Sequence, residues 1–137
     1  RIGRKKVIIG CSVIMCLALL PPVIAPQAVP LWLLYPLFFF YSLCGGATGP
    51  VVAAVSKELF PISIAGTSVA MVNLFPFFGG AAFQIIMGAI VSAGPGNIPG
   101  AYQNMFMFCL GCALVSLLCA CLLRETLGRS WEELEKR

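Results

Sequence analysis

An uncharged apolar run at 7–25, directly behind a basic hexapeptide, constrains this chain more than any other feature. As an α-helix the run is about 28 Å long, which matches the roughly 30 Å hydrocarbon core of a bilayer and exceeds the apolar stretch of a signal peptide. Four of the nine Lys and Arg residues lie in the hexapeptide. Such a cluster marks the cytoplasmic flank of a spanning helix, so it predicts the orientation of everything downstream.

The composition fits a bilayer better than water. Hydrophobic residues make up 60% of the 137 residues and charged residues only 10%, whereas a soluble domain carries about 25% charged residues. The net charge of +4 comes from cations at the ends and between apolar runs, where they anchor a membrane protein, so we expect no nucleic-acid partner. The chain opens on Arg1 without a Met, which predicts a fragment of a longer protein.

Four spanning helices are predicted, at about 7–25, 31–56, 63–92 and 102–123, with a turn-rich loop at 93–100. A cytoplasmic tail follows at 124–137 and contains a short surface helix at 131–136. Every Lys and Arg falls at the amino end, in the loop between the second and third spans, or in the tail. We therefore expect an all-α integral membrane protein with both ends in the cytoplasm.

Two predicted helices carry a patterned face. On the third span, Asn73 and Gln84 lie about 16 Å apart along the axis on a face of small residues, opposite a bulky apolar face. On the second span, Tyr35 and Ser42 lie on a face that changes from aromatic to small side chains. Each polar group has two interpretations: a hydrogen bond to a neighbouring helix or backbone carbonyl, or a position on a water-filled path where it meets a solute.

Small residues and prolines on the same two spans predict close packing and bending. Gly45 and Gly49 form a G-x-x-x-G, which lets another backbone approach closely. Pro50 removes a backbone donor and should bend the second helix. The third span has a corresponding flexible point at Pro76, Gly79 and Gly80.

The spans lack the side chains that most enzymes require. The chain has no His and no Asp, and no Glu lies inside a span, so it offers no evident general base, activated nucleophile or metal shell. Cys109 and Cys112 have C-x-x-C spacing, but without a second pair we interpret them and the other cysteines as small, buried, inert thiols. We expect no enzyme activity, no metal and no cofactor.

The two ends of the chain resemble motifs of the major facilitator superfamily of transporters. The hexapeptide resembles the end of the loop G-x-x-x-D-R-x-G-R-[RK]-[RK], which follows the second helix of each six-helix half. The segment 125–133 looks like the E-T-x-G-R-[ST]-x-E-E found after the twelfth helix, notably in sugar porters, and 59–67 looks like the join between the tenth and eleventh helices. The hexapeptide matches at Arg1, Gly3, Arg4, Lys5 and Lys6.

This resemblance implies that the chain supplies helices nine to twelve of a twelve-helix fold. The tenth helix would face the central cavity, the eleventh would lie between the two halves, and the ninth and twelfth would be outer supports. The implied function is secondary active transport of a small solute by alternating access, as a symporter or facilitator in the plasma membrane, here expected to be a bacterial inner membrane. The hexapeptide would act as a conformational latch.

The implied partners are the lipid bilayer, the solute and the eight missing helices of the same protein. Four helices alone would be incomplete, and any proton-coupling acid would lie in the missing part. A second interpretation is a four-span structural or assembly protein, or a non-catalytic subunit of a membrane complex.

Overall fold

The computed structural model describes residues 3–94, 96, 98–123 and 125. Within them the chain forms four helices, each long and apolar enough to cross a membrane, and no β-strand. The predicted class is therefore confirmed: this is an all-α, multi-pass integral membrane protein. The helices are α1 (Arg4–Ile24), α2 (Leu31–Leu59), α3 (Ile62–Ser92) and α4 (Ile98–Leu122).

The helices form a closed ring of antiparallel neighbours. α1 packs against α2 and α4, and α3 packs against the same two helices from the other side. No Cα atoms of α1 and α3, or of α2 and α4, lie within 8 Å of one another among the described residues. We call the end where α1 and α3 begin and α2 and α4 finish the basic end, and the opposite end the far end.

Two helices begin earlier than the apolar pattern predicted. α1 begins at Arg4 rather than at residue 7, so three consecutive cations form its first turn. α4 begins at Ile98 rather than at residue 102, because Pro99 falls in the first turn, where its missing N–H costs nothing. The predicted loop at 93–100 is shorter for that reason. The predicted tail helix at 131–136 lies outside the described residues.

Burial is uneven around the ring. Ile8, Val55 and Ala120 form an apolar cluster that joins α1, α2 and α4 at the basic end. α1 contributes more buried residues than any other helix, whereas α3 contributes none. The helix that carries Asn73 and Gln84 is therefore the most open of the four in this structure.

Candidate functional site

The polar face of α3 is open. Asn73 and Gln84 are both exposed, and neither side chain makes a hydrogen bond to any part of the chain that the structure describes. A buried or lipid-facing amide without a partner costs several kcal/mol. Asn73 and Gln84 are therefore available to bind a group outside these four helices.

α3 packs through a different face from the one that carries its amides. Its half-buried residues include Ala65, Val69, Phe83 and Met87, and the Phe83 ring contacts Phe108 of α4 at a centroid distance of 5.3 Å. At 100° per residue this packing face lies about a quarter turn from the polar face. The amides are therefore open because of how α3 is rotated, and the small residues beside them are open too.

The two candidates on α2 are also at the surface. Tyr35 is 71% exposed, and Ser42 is exposed and makes no hydrogen bond among the described residues. Thr48 and Ser56 differ, because each hydroxyl donates to the backbone carbonyl four residues before it, at 2.8 and 2.9 Å. No hydrogen bond joins the candidates of α2 to those of α3 in the described part of the chain.

The helices continue through the proposed flexible points. α2 is helical through Pro50, and α3 is helical through Pro76. A Cβ atom added to Gly79, Gly80 or Gly49 would meet nothing within 4 Å among the described atoms. At Gly45 the nearest such atom is Met15 Cε of α1, at an ordinary contact distance of 3.9 Å. Here the G-x-x-x-G face meets a side chain rather than a second backbone.

An ion pair connects two helices at the basic end. Arg4 Nη1 at the start of α1 lies 2.6 Å from Glu58 Oε1 at the end of α2. The two side chains are 33% and 15% exposed, so the pair is partly shielded from water. Glu58 Oε2 is buried and has no hydrogen-bond partner among the described residues. The carboxylate therefore depends strongly on Arg4.

Gly3 makes a close approach to the start of the tail. It is buried, and a Cβ atom there would overlap the Glu125 carboxylate, lying 2.8 Å from its Cδ. Lys5 makes a second link to the same region by donating from Nζ to the Cys121 carbonyl, at 2.7 Å. The beginning of α1 is thus tied to the end of α4 as well as to the end of α2.

Helix dipoles explain why the cations reach across to other helices. Arg4 and Lys5 lie at the amino end of α1, where the positive end of its own dipole disfavours them. Their side chains reach instead to the carboxyl ends of α2 and α4, where unpaired carbonyls concentrate negative charge. Lys6 is exposed and makes no ion pair or hydrogen bond among the described residues, and Arg1 lies outside them.

Glu58 and Gln103 were not among the residues singled out from the sequence. Gln103 of α4 donates from Nε2 to the Val23 carbonyl of α1, at 2.8 Å. A signal existed for Glu58, because it is the only acidic residue before 125 and it ends a span. No comparable sequence signal existed for Gln103, because its partner Val23 is 80 residues away and the contact depends on which helices are neighbours.

The cysteines do not assemble a metal site in the described part of the chain. No group of three His, Cys, Asp or Glu side chains with metal-binding proximity occurs there. The cysteines are free thiols, and Cys16 and Cys44 are buried. Cys119 and Cys121 are exposed, so the interpretation of every cysteine as a buried thiol is wrong for these two.

The family described as the Major Facilitator Superfamily matches over residues 1–137, which is the whole of this chain. Neither the curated proteins nor the solved structures contain a match.

Proposed function

Because this chain belongs to the major facilitator superfamily, whose members transport small solutes across membranes, we propose that it is the carboxy-terminal part of a secondary active transporter. It would supply helices nine to twelve of a twelve-helix fold, with the basic end in the cytoplasm. Transport would proceed by alternating access, in which helices rearrange around a site near the bilayer midplane. Enzyme activity is not characteristic of this superfamily.

The open polar face of α3 is the observation that supports this proposal most. Asn73 and Gln84 are exposed, unbonded and aligned along the helix. Polar groups inside a membrane mark solute paths when they do not pair with one another. We therefore assign this face to the solute path, with Tyr35 and Ser42 of α2 as further contacts and with bending at Pro50, Pro76, Gly79 and Gly80.

The contacts at the basic end support a latch. Arg4 joins α1 to α2, while Gly3 and Lys5 join α1 to the end of α4. A short polar contact between helix ends is either formed or broken. A transporter that alternates between two conformations can therefore use it to stabilise one of them. In our proposal the Arg4–Glu58 pair between α1 and α2 holds one conformation of the transporter and releases in the other, while the contacts of Gly3 and Lys5 with the end of α4 stay made.

Thiol labelling tests the solute path. In the full-length protein, with its native cysteines replaced, Asn73→Cys and Gln84→Cys should react with a membrane-impermeant maleimide. The matched control is Phe75→Cys, on the bulky face of the same helix, which should react at least tenfold more slowly if it faces lipid. Equal reaction at all three positions, or none at Asn73→Cys and Gln84→Cys in any state, would contradict the assignment.

Uptake by proteoliposomes tests transport itself. We expect the full-length protein to accumulate or exchange at least one small solute in a screen, and that solute should slow the labelling at positions 73 and 84. The second interpretation, a four-span structural or assembly protein, predicts no uptake. It also predicts an initiator Met immediately before Arg1, whereas the transporter requires eight further spans upstream and a Gly and an Asp ahead of Arg1.

A further inference from the structure

Two reciprocal hydrogen bonds connect α1 and α4 at opposite ends. At the basic end, Lys5 of α1 donates to the Cys121 carbonyl of α4, at 2.7 Å. At the far end, Gln103 of α4 donates to the Val23 carbonyl of α1, at 2.8 Å. Both carbonyls lie in the final turn of their helix, where no intrahelical N–H is available. Each helix therefore caps the carboxyl end of the other.

The course of the chain after α1 explains why Val23 needs an outside donor. α1 ends at Ile24, and the next backbone bonds run from Ala25 N–H to the Pro21 carbonyl and from Ala28 N–H to the Ala25 carbonyl. No backbone N–H among the described residues reaches the Val23 carbonyl. An unpaired carbonyl near hydrocarbon costs free energy, and the Gln103 amide supplies the hydrogen-bond donor that the Val23 carbonyl otherwise lacks.

The packing beside the basic-end bond is close. Ala120 of α4, one position before Cys121, is buried in the cluster that it forms with Ile8 of α1 and Val55 of α2. Such a small residue allows two helix backbones to approach each other. The two bonds are separated by the length of α1 from Lys5 to Val23, which is about 27 Å of helix. A slip of one helix along the other would break both bonds at once.

Resting on the proposed function, we propose that Gln103 and Lys5 are positioning residues that hold α1 and α4 together as one fixed pair during transport. α2 and α3 then rearrange against this pair. The hydrogen bonds support the division, because among the described residues α3 makes only one to another helix, a long bond of 3.4 Å from Ser68 Oγ to the Ser56 carbonyl of α2. Neither Gln103 nor Lys5 touches the proposed solute path.

Spin-label distances in the full-length protein test the fixed pair. Labels at positions 24 and 98, in a cysteine-free background in lipid nanodiscs, report the far end of α1 and α4. Both native side chains are exposed, so the labels disturb little. We expect one narrow distance distribution for this pair. Labels at positions 31 and 92, at the far ends of α2 and α3, should give more than one distance.

Substitutions then test the two residues. Gln103→Leu should add distances at the 24–98 pair shifted by up to about one helical turn, 5.4 Å. Asn104→Leu is the matched control, because Asn104 is the adjacent exposed amide and makes no hydrogen bond among the described residues. At the basic end, Lys5→Met should broaden a pair at positions 10 and 122, whereas Lys5→Arg and Lys6→Met should leave it narrow.

The outcomes separate this inference from the proposed function. A broad 24–98 distribution in the unsubstituted protein, or no response to both Gln103→Leu and Lys5→Met, overturns the fixed pair even if solute uptake is found. A single unchanging 31–92 distance overturns the division into fixed and moving helices. Absence of uptake together with a narrow 24–98 distance overturns the transport proposal and leaves the two capping bonds in place.

Discussion

The charged side chains at the basic end interact between helices rather than along them. Arg4 begins α1 and Glu58 ends α2, and the two meet at 2.6 Å. Their partial burial places this pair between an exposed ion pair, which is worth little, and a fully buried one, whose disruption is expensive. The same region holds Gly3 against the Glu125 carboxylate. Substitutions at Arg4 and at Gly3 should therefore both lower the free energy of unfolding.

Removal of Arg4 should destabilise the protein. Arg4→Met leaves the enclosed Glu58 carboxylate without its cation, and we expect a loss of roughly 1–3 kcal/mol in the free energy of unfolding. The double variant Arg4→Met/Glu58→Gln should recover part of that loss, because no uncompensated charge remains. Thermal unfolding in detergent provides the measurement. Lys6→Met is the control, since Lys6 is exposed, and an equal loss there would contradict the assignment.

Replacement by alanine should change the free energy of unfolding in opposite directions at Gly3 and at Gly10. Gly3→Ala should cost roughly 0.5–1 kcal/mol, because Gly3 is the N-cap of α1, where Gly is favoured over Ala, while the Glu125 carboxylate that the Cβ atom meets is the far end of a flexible side chain and can move aside. Gly10→Ala meets nothing within 4 Å and should stabilise α1 by about 0.5–1 kcal/mol, because alanine loses less backbone entropy in a helix. A comparison of unfolding midpoints decides between these signs.

At the scale of helices, α1 and α3 differ in how much of their surface is buried against the other helices. α1 is held at both ends and is the most buried, whereas α3 packs along one side and exposes its polar and bulky faces. Local unfolding and functional motion concentrate where few apolar contacts are buried. Polar residues on α3 should therefore matter more for activity than for stability.

Asn73 and Gln84 allow that difference to be measured. Because neither amide loses a hydrogen bond in the described structure, Asn73→Leu and Gln84→Leu should change the free energy of unfolding by less than about 0.5 kcal/mol. Uptake of the solute found by screening should fall at least tenfold in each variant. A destabilisation above about 1 kcal/mol with normal uptake would instead show that the amides pack against another helix.

At the scale of the whole molecule, the number and order of the helices were predictable from the sequence. The spans lack charge, so their limits are clear wherever charge returns, as at Lys57 and Glu58. The starts of α1 and α4 were misplaced because Arg4 pairs with another helix and Pro99 suits a first turn. A hydropathy pattern shows neither an ion pair between two helices nor the suitability of a proline for the first turn.

The candidate site was predictable only in part. Helical periodicity was enough to align Asn73 with Gln84, because it depends on α3 alone. The partners of Glu58 and Gln103 depend on which helices become neighbours, and no local pattern encodes that. The rotation of α3, which leaves the amides open, likewise follows from packing of Phe83 and its neighbours against other helices.

Closure of the ring also has a consequence for biosynthesis. α1 ends at Ile24 and its partner α4 begins at Ile98, so the ribosome adds the 73 residues of 25–97 between the two. At about 5–20 residues per second, this interval lasts roughly 4–15 s. During that time the Lys5 ammonium and the Val23 carbonyl have no α4 to bind. α1 must therefore wait in the bilayer, shielded by lipid or by the insertion machinery, until α4 arrives.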